Sequence, residues 1–230
     1  MLTSVTPAHP ALILGSAVDT WATVFVAIGT VGAVAYALFR DLFVEPRRRP
    51  KLELRFDHSG NDQVVVGTAE RRDAACVRLR VVNGKRKDTA DDVVVMATDV
   101  RRLEDSGQAA ATPIMLPLTW SGSNPPLSVG SVHPGSERHI DLLHVDGPAG
   151  AGSEIAQNRP DTVPVHLDLA SKSPGGQGAL DPGRYEVSLE IRARNADAIR
   201  YAVPFSWDGK WSGKEAMWEH LRVEPPRRLR

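Results

Sequence analysis

The chain of 230 residues has a single cysteine, Cys76. One thiol cannot close an internal disulfide or supply the paired cysteines of the common zinc spacings, and it fits a reducing compartment. Net charge is also missing, because 28 Lys and Arg meet 28 Asp and Glu. The general attraction of a basic domain for nucleic acid is therefore absent, and only local clusters could carry such a role. A third absence is positional: no Lys or Arg precedes Arg40. Secretory signals open on a basic region, so cleavage of the N-terminal stretch is not expected.

What fills that uncharged start is a long apolar run. From Trp21 to Phe39, WATVFVAIGTVGAVAYALF gives 19 residues without a charge, bounded by Asp19 and Arg40. As a helix it would span roughly 28 Å, against about 30 Å of bilayer hydrocarbon. Trp21 and Tyr36 fall where interfacial aromatics belong. A buried helix of a soluble core would run shorter and carry a polar stripe. The pattern predicts a short tail over residues 1–19 and a transmembrane helix over 20–40. Arg40, Arg47, Arg48, Arg49 and Lys51 all follow the span, so the positive-inside rule puts the N-terminus outside and the rest of the chain in the cytoplasm, at the cell membrane. The basic linker 41–50 would also suit anionic head groups, although Asp41 and Glu45 dilute it. Gly29, Ala33 and Ala37 recur every fourth residue and would bring two helix backbones close, in self-association or against another membrane helix.

After Pro50 the apolar period changes to two. Leu52, Leu54 and Phe56 alternate with charged residues, as do Val77, Leu79 and Val81, and that strand runs into Asn83-Gly84, a hairpin signal. The segments 91–104, 113–120, 138–146 and 162–170 continue the pattern. In RYEVSLEIRAR, Tyr185, Val187, Leu189, Ile191 and Ala193 face inward, and Arg184, Glu186, Ser188, Glu190, Arg192 and Arg194 face water. A turn at Asn195 to Asp197 leads to a return strand with Ile199, Tyr201, Val203, Phe205 and Trp207 inside. About eight or nine such strands, separated by Gly and Pro turns, predict a mainly β fold: an antiparallel β-sandwich over 51–223, with a closed barrel as the alternative. Ser212 and Glu215 have capping-box spacing, so a short helix is expected over 213–221. Residues 224–230 read as a basic tail.

The apolar anchor, the RRRP stop, LRLRVVNGKRKDTADDVVV and LDPGRYEVSLEIRARNADAIRY together resemble uncharacterised single-pass bacterial membrane proteins with an immunoglobulin-like cytoplasmic domain. VRLRVVN followed by ADDVVV is also similar to bacterial cell-adhesion-type β-sandwich modules, and HPGSERHIDL and DPGRYEVSL to their Pro-Gly turn before a strand. The resemblance implies a fold and brings no functional residues with it.

Motifs that carry chemistry are scarce. GPAGAGSE at 147–154 lacks the Lys and the following Ser or Thr of a phosphate loop, and SKSPGGQGAL fails in the same way. In HIDLLHVD, strict alternation would put His139 and Asp141 on one strand face and His144 and Asp146 on the other, so no single metal site would use all four. His166 would join His144 only if their strands paired. Cys76 and the serines lack a neighbouring base, so no catalytic residue, cofactor or metal is expected. GKRK at 84–87 and the terminal PPRRLR have no interleaved aromatics to stack bases, and no nucleic-acid partner is expected. Trp207 reads as core, whereas Trp211 and Trp218 either pack together or form an exposed interaction patch. The reading is a non-catalytic, membrane-tethered interaction or accessory module whose partners are the bilayer and another membrane protein or itself. The alternative is a ligand-binding sensor on a membrane anchor.

Overall fold

The structure, a computed structural model, describes residues 11–58, 60–68, 71–104, 109–122, 127–147, 162–170, 178–212 and 216–230. The chain divides into two compact units, Met1–Arg48 and Arg49–Arg230.

The first unit is helical. Helix α1 (Ala11–Phe39) passes into one π-helical stretch (Arg40–Val44) and then a short α2 (Glu45–Arg48). Every side chain from Trp21 to Phe43 is exposed. Aromatic pairs stand at both ends of the apolar surface, Trp21 with Phe25 at 6.3 Å and Phe39 with Phe43 at 5.3 Å. Among the described residues this is the one helix long and apolar enough to cross a membrane, over the 24 residues Trp21–Val44. The apolar stretch thus runs past the expected end at residue 40. Leu42, Phe43 and Val44 continue it, and Arg40 is partly neutralised by Glu45 at 3.4 Å.

The second unit is mainly β and holds two antiparallel sheets. The first contains β1 (Leu52–Arg55), β2 (Gln63–Thr68), β3 (Arg71–Asn83), β6 (Thr119–Trp120), β8 (Glu137–Asp146), β9 (Val165–Leu167) and β10 (Ala179–Leu180). Its order is β1-β3-β8-β9-β10, with β2 on β3 and β6 on β8. The second contains β4 (Ala90–Leu103), β5 (Ala109–Pro117), β7 (Gly130–Val132), β11 (Gly183–Ala193), β12 (Ala196–Trp207), β13 (Leu221–Val223) and β14 (Arg227–Arg228). Here the order is β13-β12-β11-β4-β5, with β14 on β12 and β7 on β4. The strands outnumber the eight or nine expected because six have only two or three residues. The inward residues of both sheets form one cluster. Leu79, Ile140, Leu189 and Ile191 are fully buried within it, and Trp207 adds a hydrogen bond from Nε1 to the Val163 carbonyl at 2.7 Å. Truncating any of these aliphatic side chains to Ala would remove apolar contacts and leave a cavity, costing about 2–5 kcal/mol.

Three local expectations are corrected. Asn83-Gly84 does not close a hairpin, because β3 and β4 lie in different sheets. Asn83 is buried and ties the crossing together: its amide donates to the carbonyls of Asp88 and Val132 at 2.8 and 3.0 Å, and its Oδ1 accepts from the Lys51 N–H at 3.2 Å. The C-terminal helix is a single turn, Met217–His220, with Ala216 rather than Ser212 at its start; residues 213–215 of the expected capping box lie outside the described residues. Leu221 and Val223 leave the helix because they alternate into the core opposite Trp207 and Phe205. Finally, Ser188 and Glu190 are on the outer side of β11 as expected, yet both are buried there.

Candidate functional site

The residues singled out in the sequence fall into three places. On the helical unit, Gly29, Ala33 and Ala37 lie on exposed surface, and a Cβ placed on Gly29 or Gly32 would meet nothing within 4 Å. At the C-terminal end of that unit Arg40 occupies the π-helical turn, and Arg47 and Arg48 end α2, all exposed. Such a turn shifts side chains relative to the preceding helix face, which re-aims Arg40. Arg49 and Lys51 open the second unit and are exposed as well.

Trp211 and Trp218 are half-buried, each packing partly against the core. Trp218 lines a groove of about 790 Å3 together with Arg184, Tyr185, Arg222, Pro225 and His58. The one-turn helix that carries Trp218 is tied to the end of β12 by Asp208, whose carboxylate is 2.7 Å from His220 Nδ1 and accepts from the Lys210 N–H at 2.9 Å. Burial alone would raise the pKa of Asp208, but these hydrogen bonds outweigh it and hold the carboxyl below its ordinary value. The groove combines an aromatic wall with arginines, a lining suited to an organic anion.

The third place was anticipated in part: the strands of His144 and His166 do pair, which is the condition for the two histidines to meet. Strand β8 carries a bulge against β3 at Leu142 and Leu143, both fully buried. The extra residue reverses the alternation, so His139, Asp141, His144 and Asp146 are all on the outer side, correcting the split expected from strict period two. The signal was present: two consecutive leucines break the pattern of HIDLLHVD. Register then aligns Cys76 on β3, His144 on β8 and His166 on β9 in one row. His144 Nδ1 is 2.7 Å from Asp168, and its ring stacks on His166 at 5.2 Å. Burial works to lower the pKa of His144, yet the Asp168 hydrogen bond and the charges of Asp168, Asp146 and Asp141 leave it raised. His166 is lowered, first by burial and then by His144. Burial also pushes the Cys76 thiol up to about 12, with Asp168 and Asp141 adding to the effect. The row sets a thiol next to an imidazole that a carboxylate holds, but a nucleophilic cysteine requires the thiolate, which this environment suppresses at neutral pH. Among the described residues no group of three or more His, Cys, Asp or Glu side chains is arranged to hold a metal ion. The glycine-rich stretch after Gly147 and most of SKSPGGQGAL lie outside the described residues.

Fold and surface together define a class: one apolar helix of membrane-spanning length joined to a two-sheet antiparallel β body. No protein-family model matches the chain, and no curated protein matches it.

Proposed function

We propose that the protein is a non-catalytic interaction or accessory module tethered to the cell membrane by one helix, with its N-terminus outside and its immunoglobulin-like sandwich at the cytoplasmic face. The reading is carried by the apolar surface of Trp21–Val44, which is exposed from Trp21 to Phe43. Apolar area on this scale calls for a bilayer or a partner to cover it. The arginines at one end only, Arg40, Arg47, Arg48 and Arg49, support the orientation. The same plan supports placing the chain with the uncharacterised single-pass bacterial proteins it resembles. Tethering keeps the sandwich near other membrane components and raises its effective concentration toward them. The small-residue strip at Gly29, Ala33 and Ala37 would provide the contact within the bilayer, with another membrane protein or a second copy.

Gentle-detergent co-purification of the tagged full-length protein, beside a version whose residues 20–39 are exchanged for an unrelated membrane helix, tests this reading. A partner retained by the native helix and lost on exchange is the expected result. If Gly29→Leu with Ala33→Leu leaves every association unchanged, the helix-docking part is lost. A ligand-binding sensor is the second reading, favoured by the groove beside Trp218. A small molecule in native mass spectrometry of the full chain, absent after Trp218→Ala, would support it over the adaptor.

A further inference from the structure

The chain as a whole is electrically neutral, so an excess of one sign on the outer face of the second sheet is a genuine asymmetry. Two adjoining depressions of about 740 and 340 Å3 lie on that face and share Glu190, Arg200 and Leu229. Arg101, Arg192, Arg200, Arg228 and Arg230 line them, against the acids Asp99 and Glu190. Both acids are already engaged. Glu190 accepts hydrogen bonds from the Nε atoms of Arg192 and Arg200, and Asp99 accepts from Ser188 at 3.1 Å and lies 3.4 Å from Arg101. The surplus cations therefore point to an anionic occupant.

A second, independent feature coincides with the first. Met115 is 54% exposed and Leu229 is 42% exposed, and both line the smaller depression. The backbone turns Met115 outward: β5 slips against β4 between Ala97 and Asp99, and Met115 takes a φ of 53°. That left-handed conformation strains a residue with a side chain, and bulges of this kind re-aim side chains toward functional surfaces. Here the strain presents a flexible thioether to solvent in an arginine-lined recess, a residue type that adapts to a partner's shape.

We infer that this trough binds an acidic peptide segment of a protein partner, with carboxylates on the arginines and an apolar side chain between Met115 and Leu229. A peptide fits better than a bilayer surface. Its floor at Glu190 is recessed, and side chains reach into depressions of this size, whereas a flat head-group layer meets protruding cations. The inference deepens the interaction-module reading and rests on it, since it supplies the chemistry of the partner.

The test uses the full-length protein in detergent micelles and the fluorescence anisotropy of a labelled peptide of alternating glutamate and leucine. Lysine–leucine and glutamate–serine peptides are controls, and short-chain phosphatidylserine is the rival probe. Saturable binding of the glutamate–leucine peptide alone is expected. Met115→Gln should weaken it about tenfold, as for a central apolar anchor. Arg101→Gln combined with Arg230→Gln should weaken it about fivefold and flatten its salt dependence. Neither variant touches the pairs of Glu190, and thermal melting checks that both remain folded. Absence of peptide binding, equal binding of the lysine peptide, or insensitivity to Met115→Gln would overturn the inference. Phosphatidylserine binding in place of the peptide would overturn it in favour of a lipid. If the peptide fails while helix exchange still removes a partner, the trough is lost and the tethered module stands. If the peptide binds as described while helix exchange removes nothing, the trough stands and docking through the helix is lost.

Discussion

Among the described residues each half of the sandwich buries one acid, and the two are buried by different means. Asp62, in the turn before β2, is 0% exposed. Its Oδ2 accepts from the Asp57 N–H at 2.6 Å and from Arg80 Nε at 3.2 Å, and its own carbonyl accepts from the Arg78 N–H at 2.8 Å. Its carboxylate is thus held by one backbone N–H and by Arg80, whose side chain is only 20% exposed. Glu190, on β11, is 5% exposed, but its cover consists of the side chains of Arg192 and Arg200, which are themselves more than half exposed. An acid held by a backbone N–H and a mostly buried arginine is part of the frame. An acid covered by two long side chains belongs to a surface that a partner can reorganise. Asp168 is intermediate, with a side chain 21% exposed and held by one imidazole of the neighbouring strand. If this ranking is right, the cost of removing each arrangement should fall in the order Asp62, Asp168, Glu190.

The largest effect is expected for Asp62→Ala. It leaves Arg80 without its central partner and the Asp57 N–H unsatisfied, and should lower unfolding stability by about 3 kcal/mol, read as a shift of the urea midpoint. His139 adds to the expectation, because its Nε2 stands 3.4 Å from Asp62 Oδ1 and neither atom has a hydrogen-bond partner among the described residues. A loss below about 1 kcal/mol would mean that the turn is held by something other than this carboxylate.

Asp168→Asn comes next, at about 1.5 kcal/mol near pH 6. A raised pKa in the folded state means that protonated His144 stabilises the fold fully below its unfolded value of about 6.5, and that this contribution fades as pH rises through the raised folded value. The asparagine variant should therefore approach the parent at alkaline pH. With the carboxylate gone, burial dominates and the His144 pKa should drop below its ordinary value in an imidazole NMR titration. His166 stacks on His144, lies in the field of Asp146 and Asp168, and works in the opposite sense. Its lowered pKa means that stability is lost as pH falls through the folded value. A stability deficit that ignored pH would show that Asp168 acts by packing alone.

These arrangements explain what could be read from the sequence. The strands β11 and β12 were legible because period-two alternation is local: Tyr185, Val187, Leu189 and Ile191 face Tyr201, Val203 and Phe205 as the pattern requires. The apolar helix was legible for the same reason, although not the continuation through Leu42 to Val44 across two charges. What escaped depends on partners distant in sequence. Glu190 looked solvated because Arg200 returns to it only through the β11–β12 pairing, and Arg227 and Arg228 looked like a tail until their pairing with Ala202 and Tyr201 made an edge strand. The His144 row needed both the Leu142–Leu143 bulge and the β8–β9 register. Asn83-Gly84 carried a true turn signal, but the crossing to the other sheet is tied down by Val132, 49 residues on and outside any local window.

The smallest effect should follow loss of the cover on Glu190. Arg192→Ala with Arg200→Ala removes both of its hydrogen bonds and at the same time opens the carboxylate to water, so desolvation is relieved as the pairing is lost. The net cost should be about 1 kcal/mol or less at neutral pH. Its pH dependence separates charge from packing. The hydrogen bonds from Arg192 and Arg200 hold the Glu190 carboxyl below its ordinary value. Their contribution is therefore present above the unfolded carboxyl range and disappears as pH falls through the depressed folded value. Denaturation of the double variant and the parent should thus converge in acid. A deficit that stays constant from neutral to acid pH would assign the effect to the alkyl stems of the arginines packed on the sheet. It would also remove the distinction between the two buried acids, because Glu190 would then sit beneath a fixed layer rather than a charged cover that a partner can displace.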